Sequence, residues 1–496
     1  MSNQPIDKIA TGSYYLIFDQ VITYGLGALF WILLAKIVST TLIGETMVVV
    51  ALTMVVLGFT GLGAEVTISK YVSEYNSQNN PNASKKAFIF GIKTGLGVSV
   101  GVGLLLAILS GPLSTAFYHD PKLAALMIVA MLTYLPFETL LSCFFGALQG
   151  SHKMQYIAIT HLIFQGGRIS AVMALIVVNF GYLSIIISFA IGDLLALVGA
   201  YLFFVRRLFA KSITSIPSTQ LPGIRAFSGF NYLATGISTL AIQLNYILLG
   251  QQNFSSVALF GISYLISGVV GIIVLAFGKA ILPTATSQQR SNDTTKLNSA
   301  ISLALKVAIT LSGFIYILLI VDPGLLLSSL SHEYLAASSA LQLLVVSAVL
   351  GSLALFMIYL LNAVNRPEWV ARIAIISSVC IIASSISLVP RYGIEGAAVS
   401  SLIGSSVSLG LAAWLSKRSG INISYRDIYR PVSAVTVAIF VALVVIYSGI
   451  APPLASAAIA VTCYVSLIAA FKLTSREELR QMVGIAAHAT GLSSKR

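Results

Sequence analysis

HLIFQGGRISAVMALIVVNFG, residues 161–181, is an apolar stretch of bilayer-crossing length with one arginine, Arg168, near its centre. A helix of about 20 apolar residues spans the ~30 Å hydrocarbon core of a membrane, because each residue rises about 1.5 Å. The whole chain shares this character, since 57% of its 496 residues are hydrophobic and only 9% are charged. Soluble proteins carry about 25% charged residues. The stretch is therefore predicted to be one transmembrane helix of a membrane protein.

Apolar runs of similar length occur fourteen times along the chain. They predict an all-α polytopic membrane protein with about fourteen transmembrane helices. The first run is too long for a cleavable signal peptide and lacks a small-residue cleavage site, so we expect it to stay in the membrane. The runs cover residues 14–35, 42–63, 88–109, 123–146, 156–178, 183–205, 227–250, 257–282, 300–321, 335–360, 370–389, 395–415, 432–450 and 454–471.

Basic residues are unevenly divided between the two sides of these predicted spans. With the N-terminus placed in the cytoplasm, 23 of the 29 Lys and Arg residues fall on the inner side, and only Lys36, Lys122 and Arg391 fall outside. This asymmetry follows the positive-inside rule and predicts that both termini are cytoplasmic. The net charge of +13 is thus a topology signal that suits anionic membrane lipid, and it does not indicate nucleic-acid binding.

Internal repetition divides the chain further. Gly63 aligns with Gly278, Lys93 with Lys306, LQGSHK (148–153) with LNAVNR (361–366), and the segment from Asn179 with the segment from Arg391, all at offsets of 212 to 215 residues. Transporters are often built from two related halves. We therefore predict an N-lobe of six spans at 1–210, a C-lobe of six spans at 211–420, and two further spans with a cytoplasmic tail at 421–496.

Four segments at the ends of these spans resemble sequences of polysaccharide flippases, which belong to the multidrug/oligosaccharidyl-lipid/polysaccharide exporter superfamily. The resemblance covers about residues 8 to 475. It implies alternating access by two bundles that pass a polyprenyl-diphosphate-linked glycan from the inner to the outer leaflet of a prokaryotic plasma membrane. It also implies a monomer that works beside glycan-assembly enzymes. The segments are GLGAEVTISKYVSEY (61–75), FGALQGSHK (145–153), LLNAVNRPE (360–368) and LVPRYGIEGAAVSSLIG (388–404).

Charged side chains inside the bilayer are expensive and therefore indicate functional positions. Arg168 and Asp193 each lie about 18 Å from the cytoplasmic ends of neighbouring spans, at the same level. Only a short turn, 179–182, joins these spans. Two interpretations of Arg168 stay open: a structural ion pair with Asp193, or a two-point contact with the substrate diphosphate.

Other polar groups complete the candidate site. The predicted substrate-binding residues are Arg168, Lys93, Lys306, Gln243 and Asn245, because cations at the inner mouth attract a diphosphate. The alternative for the two lysines is snorkelling to the interface. The predicted ion-coupling residues are Asp19, Glu138 and Asp193, which suit H⁺ or Na⁺, although pairing with Lys93 or His161 is an equal alternative for the first two. No cofactor or metal is expected, because the histidines lack metal-ligand spacing and Cys143, Cys380 and Cys463 lie in apolar runs.

Small residues predict two close-packed elements. In LVPRYGIEGAA (388–398), Pro390 ends a helix, Gly393 permits the turn, and the small residues that follow allow tight packing. The third span carries Gly91, Gly95, Gly97, Gly101 and Gly103, which we expect to form a packing face.

Two rival transport functions remain besides the glycan flippase. A multidrug or cation antiporter of the same superfamily would use an acidic residue of the first lobe as its coupling site. A lipid II flippase is the other, although that group carries basic residues in its first span, where this chain has Asp19. An enzyme is not expected, because the outer loops are short and contain no paired-aspartate metal motif.

Overall fold

A computed structural model describes residues 4–61, 63–208, 224–290, 294–363, 366–419, 425–449 and 452–471. All regular structure in these residues is helical. The helices are α1 (Gln4–Ile37), α2 (Thr40–Thr60), α3 (Ala64–Ser77), α4 (Pro81–Tyr118), α5 (Leu123–Val129), α6 (Leu135–Gly150), α7 (Met154–Val177), α8 (Ser184–Ala200), α9 (Arg206–Leu208), α10 (Ile224–Gly250), α11 (Phe254–Arg290), α12 (Thr294–Val321), α13 (Pro323–Ser328), α14 (Ser338–Ala363), α15 (Pro367–Arg418), α16 (Tyr425–Tyr447) and α17 (Pro453–Ala470). A π turn (Ala130–Tyr134) joins α5 to α6, another (Tyr201–Val205) joins α8 to α9, and a 3₁₀ helix (His332–Ala337) precedes α14.

The predicted spans fall on these helices. Within the described residues, ten helical segments are long and apolar enough to cross a membrane. Three shorter apolar helices, Ile22–Ile37, Thr235–Gly250 and Leu454–Ala470, coincide with the first, seventh and fourteenth predicted spans. The segment Glu368–Arg418 contains two predicted spans, the eleventh and the twelfth. The prediction of an all-α polytopic membrane protein is confirmed.

The chain turns sharply in the middle of α15, as the sequence predicted. Gly393 has φ 53° and ψ −126°, a conformation that is costly for residues with a Cβ. A Cβ on Gly396 would lie 2.4 Å from the carbonyl oxygen of Leu388, so the two arms of the turn touch through backbone. Ala397 and Ala398 are fully buried. The hairpin therefore depends on glycine at two positions and on small residues after them.

The chain groups into two compact units, one formed by Phe18–Ala258 and the other by Leu259–Arg496 together with Met1–Ile17. The first unit contains α2 to α10, and the second contains α12 to α17. The predicted lobe boundaries at 210/211 and 420/421 lie outside the described residues. The division into an N-lobe, a C-lobe and a C-terminal pair of spans therefore stays a prediction.

The glycines of α4 divide into two groups, and the predicted single packing face is only partly correct. A Cβ on Gly91 would lie 2.5 Å from Ile68, and one on Gly103 would lie 2.5 Å from the Met131 carbonyl oxygen. Gly95 also packs, against Thr139. Gly97 and Gly101 have no neighbouring atom within 4 Å of such a Cβ. Glycine spacing alone does not separate a helix face that packs on another helix from one with open space beside it.

Two of the family-like segments pack against each other in the first unit. Helix α3 carries AEVTISKYVSEYNS, and α6 ends in FGALQG, which contains the pair Gly146 and Gly150 four residues apart. A Cβ on Gly146 would lie 2.6 Å from the Glu65 carbonyl oxygen, and one on Gly150 would lie 2.5 Å from the Ser69 carbonyl oxygen. Glycines at this spacing let two helix backbones approach closely. We call this interface the α3–α6 contact.

The last two helices pack on α12 in the second unit. The Tyr464 hydroxyl of α17 donates a 2.9 Å hydrogen bond to the Thr310 carbonyl oxygen. Gly313, one turn further along α12, leaves room for the same ring, because a Cβ there would lie 2.3 Å from the hydroxyl oxygen. Alanines of α16 and α17 fill the remaining space and are fully buried: Ala434, Ala438, Ala442 and Ala460.

Candidate functional site

Arg168 lies in the interior of the first unit, on α7, with only 5% of its surface exposed. Its Nη2 atom donates a 2.5 Å hydrogen bond to Oε1 of Gln165, one turn earlier on the same helix. Gln165 in turn donates from Nε2 to the Thr23 carbonyl oxygen of α1 at 3.2 Å. The Nε atom of Arg168 is buried and has no hydrogen-bond partner. The arginine is thus tethered to α1 through a neutral amide.

Aromatic rings surround the Arg168 guanidinium. Its Cζ atom lies 4.0 Å from the ring centre of Phe30, 4.6 Å from that of Phe189 and 5.1 Å from that of Phe164. The rings of Phe30 and Phe189 meet edge to face with centres 5.6 Å apart. Cation–π contact with a desolvated guanidinium is worth about 2 kcal/mol or more. The rings therefore replace part of the hydration that Arg168 has lost.

The predicted ion pair between Arg168 and Asp193 is not formed. The two residues do lie at one level, since a Cβ on Gly192 would lie 3.0 Å from the Arg168 Cβ. Among the described side chains, the pairs within 4.0 Å are Asp19 with His161 and Arg366 with Glu368. Both carboxyl oxygens of Asp193 are buried without a hydrogen-bond donor. Arg168 turns to the aromatic rings and Gln165 instead, so it acts on Asp193 only through its charge.

Asp193 lies next to Glu138, which α6 presents just after the π turn. Pro136 has no N–H to donate to the backbone one turn earlier, and this loss favours a local widening of the helix. The Leu135 N–H accordingly donates to the Ala130 carbonyl, five residues back. Asp193 is completely buried. The two carboxyl groups thus form a close acidic pair, which we call the Glu138–Asp193 pair.

A second acidic group joins α1 to α7. Nδ1 of His161 lies 2.5 Å from Oδ1 of Asp19, which is 5% exposed. The His161 ring packs on the Phe145 ring with centres 4.5 Å apart. Glu65, at the start of α3, lies within electrostatic range of His161. Of the two partners considered for Asp19, the structure therefore selects His161 and not Lys93.

The remaining predicted substrate residues lie on other helices than Arg168. Lys93 is exposed on α4. Gln243 is half-buried and Asn245 buried, both on α10, which packs against α2 within the first unit. Lys306 is half-buried on α12 of the second unit. Their roles in substrate binding stay predictions.

Five residues that contact or neighbour the charged groups of this site were not foreseen from the sequence. Phe164 and Gln165 precede Arg168 by four and three residues, and this spacing places them on one helix face. Their contact with Arg168 was therefore predictable from the sequence FQGGR. Phe30 and Phe189 come from distant helices and carry no such signal. Glu65 belongs to a family-like segment, but its proximity to His161 depends on the α3–α6 contact.

The second copy of the internal repeat packs in the same way as this site, but it lacks the charged side chains. Gly404 and Ile381 stand 212 and 213 residues after Gly192 and Arg168. A Cβ on Gly404 would lie 2.1 Å from Ile381. This contact corresponds to the one between Gly192 and Arg168 in the first copy.

The acidic pair is replaced in the same way. Ser405 and Gly351 stand at the positions of Asp193 and Glu138 at the same offsets. They also lie side by side, since a Cβ on Gly351 would be 3.3 Å from the Ser405 Oγ. The Ser405 Oγ lies 2.9 Å from the Ser347 Oγ. The second copy of this contact therefore consists of uncharged residues, some aliphatic and some with hydroxyl groups. The charged side chains occur in the first copy.

A family of known proteins matches more than half of the chain, including the whole of the first unit. Residues 9–287 match the family described as polysaccharide biosynthesis protein. The chain belongs to this family. The matched range contains Asp19, Glu138, Arg168 and Asp193, and it ends before Lys306. No curated protein sequence matches the chain.

Solved structures with the same fold are transporters. The lipid II flippase MurJ, in an inward closed conformation, aligns with a TM-score of 0.72 and 16% identity over 92% of this chain and 98% of its own. An inward-facing multidrug resistance MATE family transporter of the MOP superfamily aligns with a TM-score of 0.66 and 14% identity over 81% and 94%. A MOP superfamily transporter from Pyrococcus furiosus aligns with a TM-score of 0.61 and 15% identity over 84% and 96%. At these identities the likeness shows a shared fold.

Proposed function

We propose that this family member is a flippase that moves a polyprenyl-diphosphate-linked oligosaccharide from the inner to the outer leaflet by alternating access. The match to the polysaccharide biosynthesis family over residues 9–287 carries the proposal. The fold shared with the lipid II flippase MurJ and with MATE transporters supports transport over catalysis. The membrane would be a prokaryotic plasma membrane with both termini in the cytoplasm, and the protein would act as a monomer beside glycan-assembly enzymes.

The substrate diphosphate would be attracted by cations and held by neutral polar groups. Lys93 is exposed on α4, where a flexible ammonium can follow a phosphate. Lys306 would serve the same purpose in the second unit. Gln243 and Asn245 would donate amide hydrogen bonds to phosphate or sugar oxygens. All four remain proposed substrate contacts.

The Glu138–Asp193 pair would couple transport to protons. Two carboxylates side by side inside the helix bundle repel each other, so such a pair is stable when it holds one proton between its two members. With that proton the pair has one negative charge, which the nearby Arg168 guanidinium offsets. Asp19 and His161, whose side chains are in contact, would form a second proton-exchanging group. Sodium is the alternative coupling ion, but it prefers a site in which several oxygen atoms surround the ion.

Deletion of the gene is expected to leave lipid-linked glycan accumulating on the inner leaflet, because synthesis continues while translocation stops. Surface glycan should fall, and the lipid-linked precursor should be protected from enzymes added outside the membrane. Measuring both pools in deletion and complemented strains tests the proposal. Normal surface glycan together with new sensitivity to cationic drugs would instead indicate the multidrug antiporter, which the buried acids of the first unit also suit.

Neutralising the acidic pair is expected to uncouple transport from the proton gradient. In proteoliposomes, Glu138→Gln or Asp193→Asn should reduce gradient-driven flipping about tenfold or more, since a group that binds the coupling proton is lost. Glu368→Gln is the matched control, because Glu368 is an exposed acid paired with Arg366. Retained stimulation by a proton gradient in both pair variants would rule out this coupling site, and stimulation by sodium alone would assign the other ion.

A further inference from the structure

A pocket opens at one end of the first unit, where three interhelical turns meet. It has a volume of about 530 Å³, within the range of roughly 300–1,000 Å³ that small-molecule sites occupy. The turns are those between α1 and α2, α4 and α5, and α7 and α8. Under the proposed orientation these turns face the outside. The pocket is thus distant from Arg168 in the helices, on the side where the substrate is delivered.

Five of the ten residues that line the pocket carry neutral hydrogen-bonding side chains. Ser39, Thr41, Asn179, Tyr182 and Ser184 contribute four hydroxyls and one amide. Hydroxyls donate and accept, and an amide offers both functions at fixed positions. Such a set matches a ligand that itself carries many hydroxyl groups.

Glu45 and Tyr182 add a buried polar centre to this wall. Glu45 is only 7% exposed although it lines the pocket. The Tyr182 hydroxyl lies beside its carboxylate, yet it is buried without a well-formed hydrogen bond. Burial and then the Glu45 charge raise the pKa of Tyr182, so the hydroxyl stays protonated at neutral pH and remains a donor. A buried donor without a partner costs free energy, which an incoming ligand oxygen would recover.

The charges around the pocket disfavour an anion. Lys122 lies on its rim and is exposed. Asp120 accepts a 2.9 Å hydrogen bond from the backbone N–H of Lys122, and both residues lie within electrostatic range of Glu45. One cation and two acids thus surround the pocket. No arginine lines the pocket, and two-point recognition of phosphate is therefore missing.

We propose that this pocket binds a sugar unit of the translocated glycan through its hydroxyl groups, with Glu45 and Tyr182 as the central contacts. The inference rests on the proposed flippase function for the identity of its ligand. Glu45 would accept from one or two sugar hydroxyls, as carboxylates do when ionised. Tyr182 would donate to a further sugar oxygen and cover the ring with its aromatic face. The diphosphate end would stay outside this pocket.

The test uses protection of a reporter cysteine in the purified full-length protein. Thr41→Cys, in a background with Cys143, Cys380 and Cys463 replaced by alanine, places a reporter in the pocket wall. Glu333→Cys provides an exposed control outside it. The probes are free glucose, galactose, rhamnose, N-acetylglucosamine and glucosamine at about 50 mM, well above a weak ~1 mM Kd, and inorganic pyrophosphate. At least one sugar should slow maleimide labelling of Thr41→Cys severalfold and leave Glu333→Cys unchanged.

Second-site variants assign the protection to the pocket. Glu45→Gln and Tyr182→Phe should each weaken it about tenfold, which corresponds to one charge-assisted hydrogen bond. Protection that survives both changes, protection by pyrophosphate above that of every sugar, or protection by no sugar would overturn the inference. Flipping of lipid-linked glycan by the same preparation separates the two proposals: flipping without sugar protection overturns only the pocket, whereas protection without flipping overturns the proposed function and leaves a sugar site whose ligand is not a translocated glycan.

Discussion

Replacing Arg168 with isoleucine is expected to abolish transport and to reduce folded protein sharply. Isoleucine is the residue at the equivalent repeat position, Ile381, so the contact with Gly192 is kept. The change removes the Arg168 guanidinium, whose charge offsets that of Asp193. Removing one member of a buried charge set costs about 3–5 kcal/mol. Thermal unfolding of the purified protein and glycan export in cells measure the two effects.

A double variant separates stability from transport. Arg168→Ile with Asp193→Ser gives the first copy the two residues that the second copy has at these positions, Ile381 and Ser405, so folded protein should return to near the normal amount. Transport should stay absent, because the proton-binding pair is lost. Arg168→Lys should give an intermediate result, since lysine keeps the charge but cannot stack a planar fork on three rings.

Two outcomes would contradict this account of Arg168. Normal abundance with no transport in Arg168→Ile, unchanged in the double variant, would indicate direct contact with the substrate diphosphate. Full transport by the single variant would show that the buried charge is dispensable for both folding and function.

Adding methyl groups to the α3–α6 contact is expected to be the second large effect. In Gly146→Ala/Gly150→Ala each new Cβ would lie within 2.6 Å of a backbone carbonyl oxygen, so α3 has to move away. Overpacking typically costs 1–3 kcal/mol per site, or about 2–6 kcal/mol for the pair. We expect a much lower unfolding temperature, together with a loss of transport because less folded protein remains.

The control has the same substitution on a free helix face. Gly97→Ala/Gly101→Ala adds two methyl groups to α4 where no atom lies within 4 Å. Alanine is favoured over glycine in a helix by about 0.5–1 kcal/mol. The control should therefore be as stable as the unmodified protein or more stable. Equal destabilisation of both double variants would mean that glycine flexibility, and not the α3–α6 contact, matters at these positions.

The helices and the Gly393 turn were predictable because each is set by local properties. Length and hydropathy of a run decide whether it can cross a membrane, and a proline with a glycine three residues later decides the turn. The short helix α3 was not predicted as separate, because Gly61 and Gly63 interrupt the chain without an obvious change in composition. Left-handed backbone at Gly63, with φ 61°, starts the new helix.

The site was predictable in its residues but not in its contacts. A buried arginine and three buried acids stand out from an apolar sequence, and their common level follows from helical rise. Which partner each takes depends on helix rotation, which a chain that is apolar on nearly every face does not reveal. Arg168 thus packs against aromatic rings of α1 and α8, and Asp193 lies beside Glu138.

The π turn before α6 makes the position of Glu138 depend on how many residues precede it. Removing one residue from Ala130–Tyr134 would restore α-helical phase and turn one part of the helix about 100° relative to the other. Glu138 would then point away from Asp193 although neither residue had changed. The number of residues in the π turn therefore fixes the direction in which Glu138 points. Substitutions along the helix would leave this direction unchanged, whereas deletion of a single residue would change it.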